Sequence, residues 1–221
     1  MSDKPVVQLD NVFLTSDRGE TIFANVDFRL ESGESAVVVG PAGSGKTCLI
    51  EMLVGRRAAS EGSVEVFGQN VRPKHRRRLS RIRRKIGGVG GIYSLVPSYT
   101  VAQNIVFPLI LNGERRRVRS ERLMKTLAEF SLLKQAGEYP VDLTRVEYTL
   151  AQFARASIAN QPMLLVDEPL AGLDPKTYDR LFEYLLKVTA SGRSMIIVTS
   201  DEPARALPNT TVYHIEGNRL Q

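Results

Sequence analysis

Apolar and polar positions alternate in three short segments near the start of the chain. Residues 25–31 alternate strictly, with apolar side chains at every second position. Residues 7–12 and 63–67 follow the same pattern less regularly. A period of two is typical of strands that bury one face. We therefore predict antiparallel strands in this part of the chain.

Three other short runs are apolar at every position, at residues 36–39, 163–166 and 195–198. Strands of a parallel sheet that helices cover on both faces have this pattern. The last segment, residues 212–221, has the form of a hairpin that turns at Gly217 and Asn218. The chain is therefore predicted to build an α/β fold around a mostly parallel sheet.

Helical periodicity appears at residues 115–132, 147–160 and 175–188. The last of these has Asp174 in the N-cap position and a proline immediately after it, which is a favourable start for a helix. The first two lie between the first and second apolar runs. We expect a helical insertion at about residues 94–154, within a single domain that spans residues 1–221.

The bulk composition narrows the class of protein. The 221 residues are 43% hydrophobic, which is enough for a sizeable core. The chain has no run of about 18 apolar residues that could span a membrane, and its start lacks an apolar signal region. A single cysteine, Cys48, excludes an internal disulfide framework. We expect a protein of the cytoplasm.

Positive charge is concentrated in one segment. Between Phe67 and Asn112 there are nine basic residues and no acidic residue. The other 21 basic residues of the chain are outnumbered by its 24 acidic residues. A solvated helix face and proximity to an anionic membrane leaflet are both compatible with this. Nucleic acid is a third possibility, but no aromatic interleaving or binding motif accompanies the charge, so we expect no nucleic-acid partner. The nine cations are Arg72, Lys74, Arg76, Arg77, Arg78, Arg81, Arg83, Arg84 and Lys85.

A glycine-rich turn follows the first apolar run and precedes a helix-like segment. Glycines allow backbone N–H groups to surround an anion, and the helix N-terminus adds partial positive charge. Lys46 is placed to reach the β- and γ-phosphates of a nucleotide, and the Thr47 hydroxyl to ligate Mg²⁺. The predicted nucleotide-binding residues are Gly40, Pro41, Ala42, Gly43, Ser44, Gly45, Lys46 and Thr47.

Two carboxylates follow the second apolar run. At the carboxyl end of a strand beside the glycine-rich turn, Asp167 is expected near the Mg²⁺ ion, directly or through water. Glu168 is then expected to face the γ-phosphate, where a carboxylate orients or deprotonates the attacking water. We predict Asp167 as a metal ligand and Glu168 as the catalytic residue.

These motifs together resemble the ABC ATPases. The carboxylates stand where that family has its Walker B motif and D-loop, with Asp167-Glu168-Pro169 and then Ala171-Gly172-Leu173-Asp174. The resemblance covers essentially the whole chain. It implies a P-loop NTPase core, an N-terminal antiparallel β subdomain and an inserted α-helical subdomain. Residues 107–110 and the arginine-rich helix after them are most similar to the cell-division FtsE and lipoprotein-release LolD branch.

The resemblance also implies ligands and partners. In that family two subunits sandwich two ATP molecules head to tail, and their closure drives attached membrane subunits. It implies ATP and Mg²⁺ as ligands, a second nucleotide-binding subunit, identical or different, and a transmembrane permease-type subunit. The chain would then lie on the inner face of the plasma membrane, with the apolar surface around residues 93–106 against the permease.

Four family elements are altered in this sequence. Ser16 stands where an aromatic residue stacks on adenine, Gly91 replaces the Q-loop glutamine, and Ser200 replaces the switch histidine. The signature segment, residues 143–147, reads Leu-Thr-Arg-Val-Glu and lacks its two glycines. We expect ATP to bind and to be hydrolysed slowly. Arg145 either hinders closure on a partner's γ-phosphate or contacts that phosphate itself.

Two functions fit these features. In the first, the chain is the ATP-binding subunit of an ABC-type membrane complex and couples ATP binding, with slow hydrolysis, to conformational change in its partners. In the second, it is a nucleotide-gated regulatory or scaffold subunit of the FtsE type, with little or no ATPase activity.

Overall fold

A computed structural model describes residues 4–168, 172–202 and 205–221 of the chain. The described residues form ten strands, six α-helices and a short 3-10 helix. In chain order these are β1 (Val7–Thr15), β2 (Thr21–Leu30), β3 (Ser35–Val39), α1 (Lys46–Leu53), β4 (Glu61–Val66), β5 (Gln69–Asn70), α2 (Arg76–Arg84), β6 (Ile86–Gly90), α3 (Val101–Leu111), α4 (Arg116–Glu129), the 3-10 helix (Pro140–Asp142), α5 (Arg145–Ser157), β7 (Met163–Asp167), α6 (Pro175–Ala190), β8 (Ser194–Thr199), β9 (Thr210–Glu216) and β10 (Arg219–Leu220).

The alternating segments form a four-stranded antiparallel sheet, in the order β2-β1-β4-β5. In β2 the apolar residues predicted to face inward, Val26, Phe28 and Leu30, are each at most 3% exposed. The predicted antiparallel strands are therefore confirmed. Their alternation exists because the sheet packs one face on the core and leaves the other to solvent.

The continuous apolar runs form the centre of a second sheet, in the order β10-β9-β3-β8-β7-β6. Strands β9, β3, β8, β7 and β6 are parallel, and β10 closes the predicted terminal hairpin. All residues of β3 and β7 are buried. Successive residues of β3 belong to two different apolar clusters, because neighbouring side chains point to opposite faces of the sheet.

Helices cover both faces of this parallel sheet. One apolar cluster combines the antiparallel sheet, α1 and α2 with one face, and the other combines α3, α5 and α6 with the opposite face. Helix α6 begins as predicted, since the Asp174 carboxylate accepts a hydrogen bond from the Thr177 N–H at 3.1 Å. The α/β fold class is confirmed.

Helices α3, α4 and α5 lie between β6 and β7 in the chain, where the helical insertion is predicted. Whether residues 94–154 are the bounds of a separate unit stays a prediction. Among the helices of the described ranges, none has both the length and the apolar character that crossing a bilayer requires.

Candidate functional site

The glycine-rich turn links the end of β3 to the start of α1. Gly43 and Gly45 have φ angles of 81° and 100°, in the left-handed region that favours glycine. A Cβ added at Gly45 would lie 2.5 Å from Cγ2 of Ile22. Gly45 is therefore required both by its backbone angle and by the close approach of β2.

The N-terminus of α1 presents its first N–H groups toward this turn. No side chain of the described residues caps it. The hydroxyl of Ser44 is buried within the turn without a hydrogen-bond partner among the residues described. Uncapped N–H groups, a positive helix end and an unpartnered hydroxyl are the donors that a phosphate group requires. The turn therefore fits the phosphates of a nucleotide.

Lys46 lies at the centre of the site and is only 7% exposed. Its Nζ donates to the carbonyl oxygens of Gly40 at 2.7 Å and Pro41 at 3.0 Å, and to Oγ of Ser200 at 3.2 Å. An ammonium group has three protons, so these three contacts use all of them. A bound phosphate must replace at least one of the contacts.

Thr47 and Asp167 meet across the site. The Thr47 hydroxyl donates to Oδ2 of Asp167 at 3.1 Å, and Asp167 is 4% exposed. Burial raises the pKa of the Asp167 carboxyl, and the Thr47 hydrogen bond opposes that rise. A hydroxyl and a carboxylate supply the hard oxygen atoms that Mg²⁺ prefers, and Mg²⁺ commonly binds one or two carboxylates together with substrate phosphates. The pair fits a magnesium ion.

Glu168 follows β7 at the carboxyl edge of the parallel sheet. Its φ is 51°, which is uncommon for a residue other than glycine, and its N–H donates to the Val198 carbonyl at 2.9 Å. Its Oε1 accepts a hydrogen bond from the Ser200 hydroxyl at 2.5 Å and lies 3.4 Å from Nζ of Lys46. The structure thus brings Lys46, Thr47, Asp167 and Glu168 together as the sequence predicts.

Ser200 is one link of this cluster. Its hydroxyl accepts from Lys46 and donates to Glu168, and so bridges the two charged groups. The sequence shows that serine replaces the family's histidine at this position, but it does not predict that the serine hydroxyl joins Lys46 to Glu168. The bridge depends on β8 lying beside both β3 and β7, which only the sheet order reveals.

Gly91 lies against Asp167, the predicted metal ligand. Its φ is 44°, and an added Cβ would lie 2.0 Å from Oδ2 of Asp167. Any larger side chain at this position would displace either the loop or the Asp167 carboxylate. Gly91, which replaces the Q-loop glutamine, therefore lies in close contact with Asp167. The sequence alone does not show this contact.

Ser16 occupies the turn between β1 and β2. Its hydroxyl accepts hydrogen bonds from the N–H groups of Glu20 at 3.1 Å and Arg18 at 3.3 Å, which is the local role of a turn residue. Phe23, the nearby aromatic residue, is 1% exposed and packs beneath Gly45. Phe23 is therefore part of the core and does not present a ring to an adenine.

The signature segment forms the N-terminus of α5. Glu147 donates its N–H to the Thr144 hydroxyl at 3.3 Å, and its carboxylate accepts the Thr144 N–H at 2.9 Å. This reciprocal pair is a capping box, and it starts the helix at Arg145, two residues earlier than predicted. The Thr144 hydroxyl also donates to the Glu147 carboxylate at 2.7 Å, and this hydrogen bond, followed by the one from the Thr144 N–H, lowers the pKa of the Glu147 carboxyl.

Arg145 lies beside Gly172 of the same chain, a residue of the predicted D-loop. A Cβ added at Gly172 would lie 3.0 Å from Nη1 of Arg145, so the guanidinium packs closely over that glycine. Pro169 and Ala171, which belong to the predicted motif, lie outside the described residues. The contact between the signature segment and residue 172 has no counterpart in the sequence pattern.

A separate groove of about 740 Å³ lies between α2, β6 and α3. Tyr93, Phe107 and Leu111 supply apolar surface, and Arg76 and Arg84 line it as well. Only the start of the predicted surface at residues 93–106 belongs to this groove. Val101 and Ile105 are fully buried in the core instead. The guanidinium of Arg155 donates to the carbonyls of Ser94 at 2.8 Å and of Tyr93, which fixes the loop that forms one wall.

Comparison with known families gives one match over most of the chain. The family model described as ABC transporter matches residues 23–171. This range includes the glycine-rich turn, both carboxylates and the signature segment.

Individual proteins agree with this match. The lipoprotein-releasing system ATP-binding protein LolD of Ruegeria sp. (strain TM1040) is 35% identical, covering 96% of this chain and 94% of that protein. The cell division ATP-binding protein FtsE of Streptococcus pneumoniae is 28% identical, with coverage of 97% and 94%. The dimeric structure of MJ0796, a bacterial ABC transporter cassette, superposes with a TM-score of 0.86 at 26% identity, over 97% of this chain and 96% of that one.

Proposed function

This chain belongs to the ABC transporter family, and we propose that it binds MgATP as the ATP-binding subunit of a membrane complex. Its predicted family and its similarity to the FtsE and LolD branch are confirmed by the relatives above. The observation that carries the proposal is the convergence of Lys46, Thr47, Asp167 and Glu168 at the carboxyl edge of the parallel sheet.

Each residue of this cluster has a distinct part in the proposed site. The turn from Gly40 to Thr47 would direct its N–H groups to the phosphates, and Lys46 would exchange a carbonyl contact for a phosphate oxygen. Thr47 and Asp167 would hold Mg²⁺, which supplies positive charge to the phosphate oxygens when bound. Glu168 would orient the attacking water and accept its proton.

We propose further that hydrolysis in this chain is slow. Glu168 is held by the Ser200 hydroxyl and lies near Lys46, so its carboxylate must leave these contacts before it orients water. Serine is shorter than histidine and has no charge-bearing ring to contact the γ-phosphate. Gly91 adds no side chain to the site. Ser200 and Gly91 therefore both reduce the contacts that position the γ-phosphate and the attacking water.

The partner proposals follow from the family. The chain would pair with a second ATP-binding subunit, identical or different, and with a transmembrane permease-type subunit that places it on the inner face of the plasma membrane. The relative MJ0796 is described as dimeric, which supports pairing. The groove lined by Tyr93, Phe107 and Leu111 is the surface we propose for the permease, because it combines half-buried aromatic rings and the exposed Leu111 side chain with a fixed wall.

A thermal-unfolding experiment tests the binding proposal. A ligand that binds only the native state at 100 times its Kd stabilises by about 2.7 kcal/mol. For a chain of this size that raises the unfolding midpoint by roughly 5–11 °C. We expect MgATP to produce such a shift in the parent chain and not in Lys46→Ala. Lys187→Ala, an exposed lysine on α6, is the matched control and should keep the shift. Absence of a shift in the parent at millimolar MgATP would refute the proposal.

A further inference from the structure

The positively charged segment is organised by α2, which the proposed ATP site does not use. Leu79 and Ile82 are 2% and 0% exposed and attach the helix to the core. Arg83 donates from Nε to the Val54 carbonyl at 2.8 Å, and Arg78 donates to the Asn70 carbonyl at 3.4 Å. These four residues fix the helix in place, and the charges on its other side are therefore presented by a rigid support.

Four cations form what we call the outer basic face: Lys74, Arg77, Arg81 and Lys85. Arg77, Arg81 and Lys85 follow one another at four-residue spacing, so they share one side of the helix, and all four are exposed. Within the described part of the chain, no acidic side chain forms an ion pair with any of them. Nζ of Lys85 lies 5.0 Å from the centroid of the Phe67 ring, and Lys74, Arg77 and Arg81 present their positive charge to solvent.

The outer basic face borders the groove proposed for the permease. Arg76, Ser80 and Arg84 line that groove, and Arg77 and Arg81 lie one residue further along, about 100° around the helix axis. A membrane partner seated in the groove would bring the adjoining face toward the bilayer. This step of the argument rests on the proposed function.

We propose that the outer basic face binds the phosphate headgroups of an anionic membrane surface. Arginine forks bind phosphate oxygens in pairs, and basic clusters next to a bilayer are attracted to anionic lipid. The apolar side of α2 is buried in the core, so the helix contacts headgroups without inserting into the hydrocarbon. The sequence of α2, Arg-Arg-Arg-Leu-Ser-Arg-Ile-Arg-Arg, contains no aromatic ring for stacking on bases, which disfavours single-stranded nucleic acid.

Vesicle sedimentation with the purified full chain tests this directly, without nucleotide or membrane partner. We expect binding to vesicles with about one third phosphatidylglycerol in phosphatidylcholine, and little binding to phosphatidylcholine alone. Because the contact is electrostatic, binding should fall steeply when salt rises from about 0.1 M to about 0.5 M. No binding to the anionic vesicles at low salt would overturn the proposal.

A pair of variants with equal net charge locates the surface. Replacing Lys74, Arg77 and Arg81 by glutamine should weaken vesicle binding on the order of tenfold or more. Replacing Lys125, Lys134 and Lys187, which are exposed outside α2, should change vesicle binding little. Equal losses in both variants would show that overall charge binds the lipid, and the proposal would be wrong.

Two further measurements distinguish lipid binding from a loss of folding and from nucleic-acid binding. Both variants should keep the parent's unfolding midpoint and its MgATP shift, since the replaced side chains are exposed and none of them is among the hydrogen-bond or ion-pair partners of Lys46. The parent should bind duplex DNA no more tightly than anionic vesicles at the same salt concentration. Tighter DNA binding that the α2 variant loses would identify a nucleic-acid site and contradict the proposal. Failure of the MgATP shift alone would count against the ATP site and leave this surface intact.

Discussion

Two helices of this molecule begin at segments that the family places on ATP phosphates, and their N-termini differ in chemistry. Helix α1 starts at Lys46 after a glycine with φ of 100°, and no described side chain caps it. Helix α5 starts at Arg145 and is capped by Thr144 and Glu147. The first N-terminus keeps its N–H groups available for an anion, while the second satisfies its own and adds a carboxylate.

This difference suits the two helix ends to different tasks in the proposed site: the α1 end would bind the phosphates of a nucleotide, and the α5 end would contact a nucleotide held by a partner subunit. The α1 end depends on glycines and on close packing with β2, and both are intact. The α5 end has lost the glycines that let a backbone approach a phosphate, and Arg145 packs against Gly172 of its own chain. We infer that the α1 end has the geometry to hold a phosphate, whereas the N-terminus of α5 is occupied by its own capping box.

The largest expected effect is on the glycines of the α1 end. Gly45→Ala should cost about 1–2 kcal/mol for its left-handed backbone and about 1–3 kcal/mol more for overlap with Ile22. Gly43→Ala is the matched control, since it has a similar φ but no neighbour within 4 Å of an added Cβ. Chemical denaturation should give Gly45→Ala a much lower free energy of unfolding than Gly43→Ala. Equal losses would show that packing against Ile22 does not matter.

The next effect concerns the buried carboxylate. The folded pKa of Asp167 is raised by burial, so its stabilising contribution is complete below the unfolded pKa and is lost as pH rises through the folded pKa. At neutral pH and without ligand, the Asp167→Asn variant should therefore be more stable than the parent. Each kcal/mol gained in the free energy of unfolding should raise the thermal unfolding midpoint by roughly 2–4 °C. The same change should abolish the dependence of ATP binding on Mg²⁺.

Asp174→Asn serves as the control for this prediction. Asn caps a helix about as well as Asp, so the midpoint should stay nearly unchanged. A loss of stability in Asp167→Asn at neutral pH would contradict the assignment of burial as the dominant influence on that carboxyl.

The smallest effect is expected at the α5 end. Thr144→Ala removes the capping box and should cost about 1 kcal/mol, with no change in the MgATP shift of the isolated chain. The pKa of Glu147 is lowered, so its contribution is present above the unfolded pKa and is lost as pH falls through the folded pKa. In Glu147→Gln, this loss of stability at acidic pH should be absent. A reduced MgATP shift in Thr144→Ala would mean that α5 contacts nucleotide within one chain.

The sequence predicts the fold well, and it predicts which residues lie together at the candidate site, for a physical reason. Alternation, continuous apolar runs and the glycine-rich turn are local patterns, and each determines one element. The Ser200 bridge, the contact of Gly91 with Asp167 and the burial of Phe23 join residues that are far apart in the chain. Only the order of the strands brings such residues together, so no local pattern predicts them.

We propose above all that this chain binds MgATP well and hydrolyses it slowly, because the residues that would act on the γ-phosphate differ from those of the family. The most direct test is phosphate release by the purified chain at saturating MgATP, with Glu168→Gln as its comparison. We predict turnover well below about 1 s⁻¹, the low end of typical enzymes, and little change in Glu168→Gln. Ser200→His combined with Arg145→Gly and Val146→Gly should raise the rate. Robust turnover in the parent that Glu168→Gln abolishes would show that the site hydrolyses ATP efficiently, and the proposal of slow hydrolysis would be wrong.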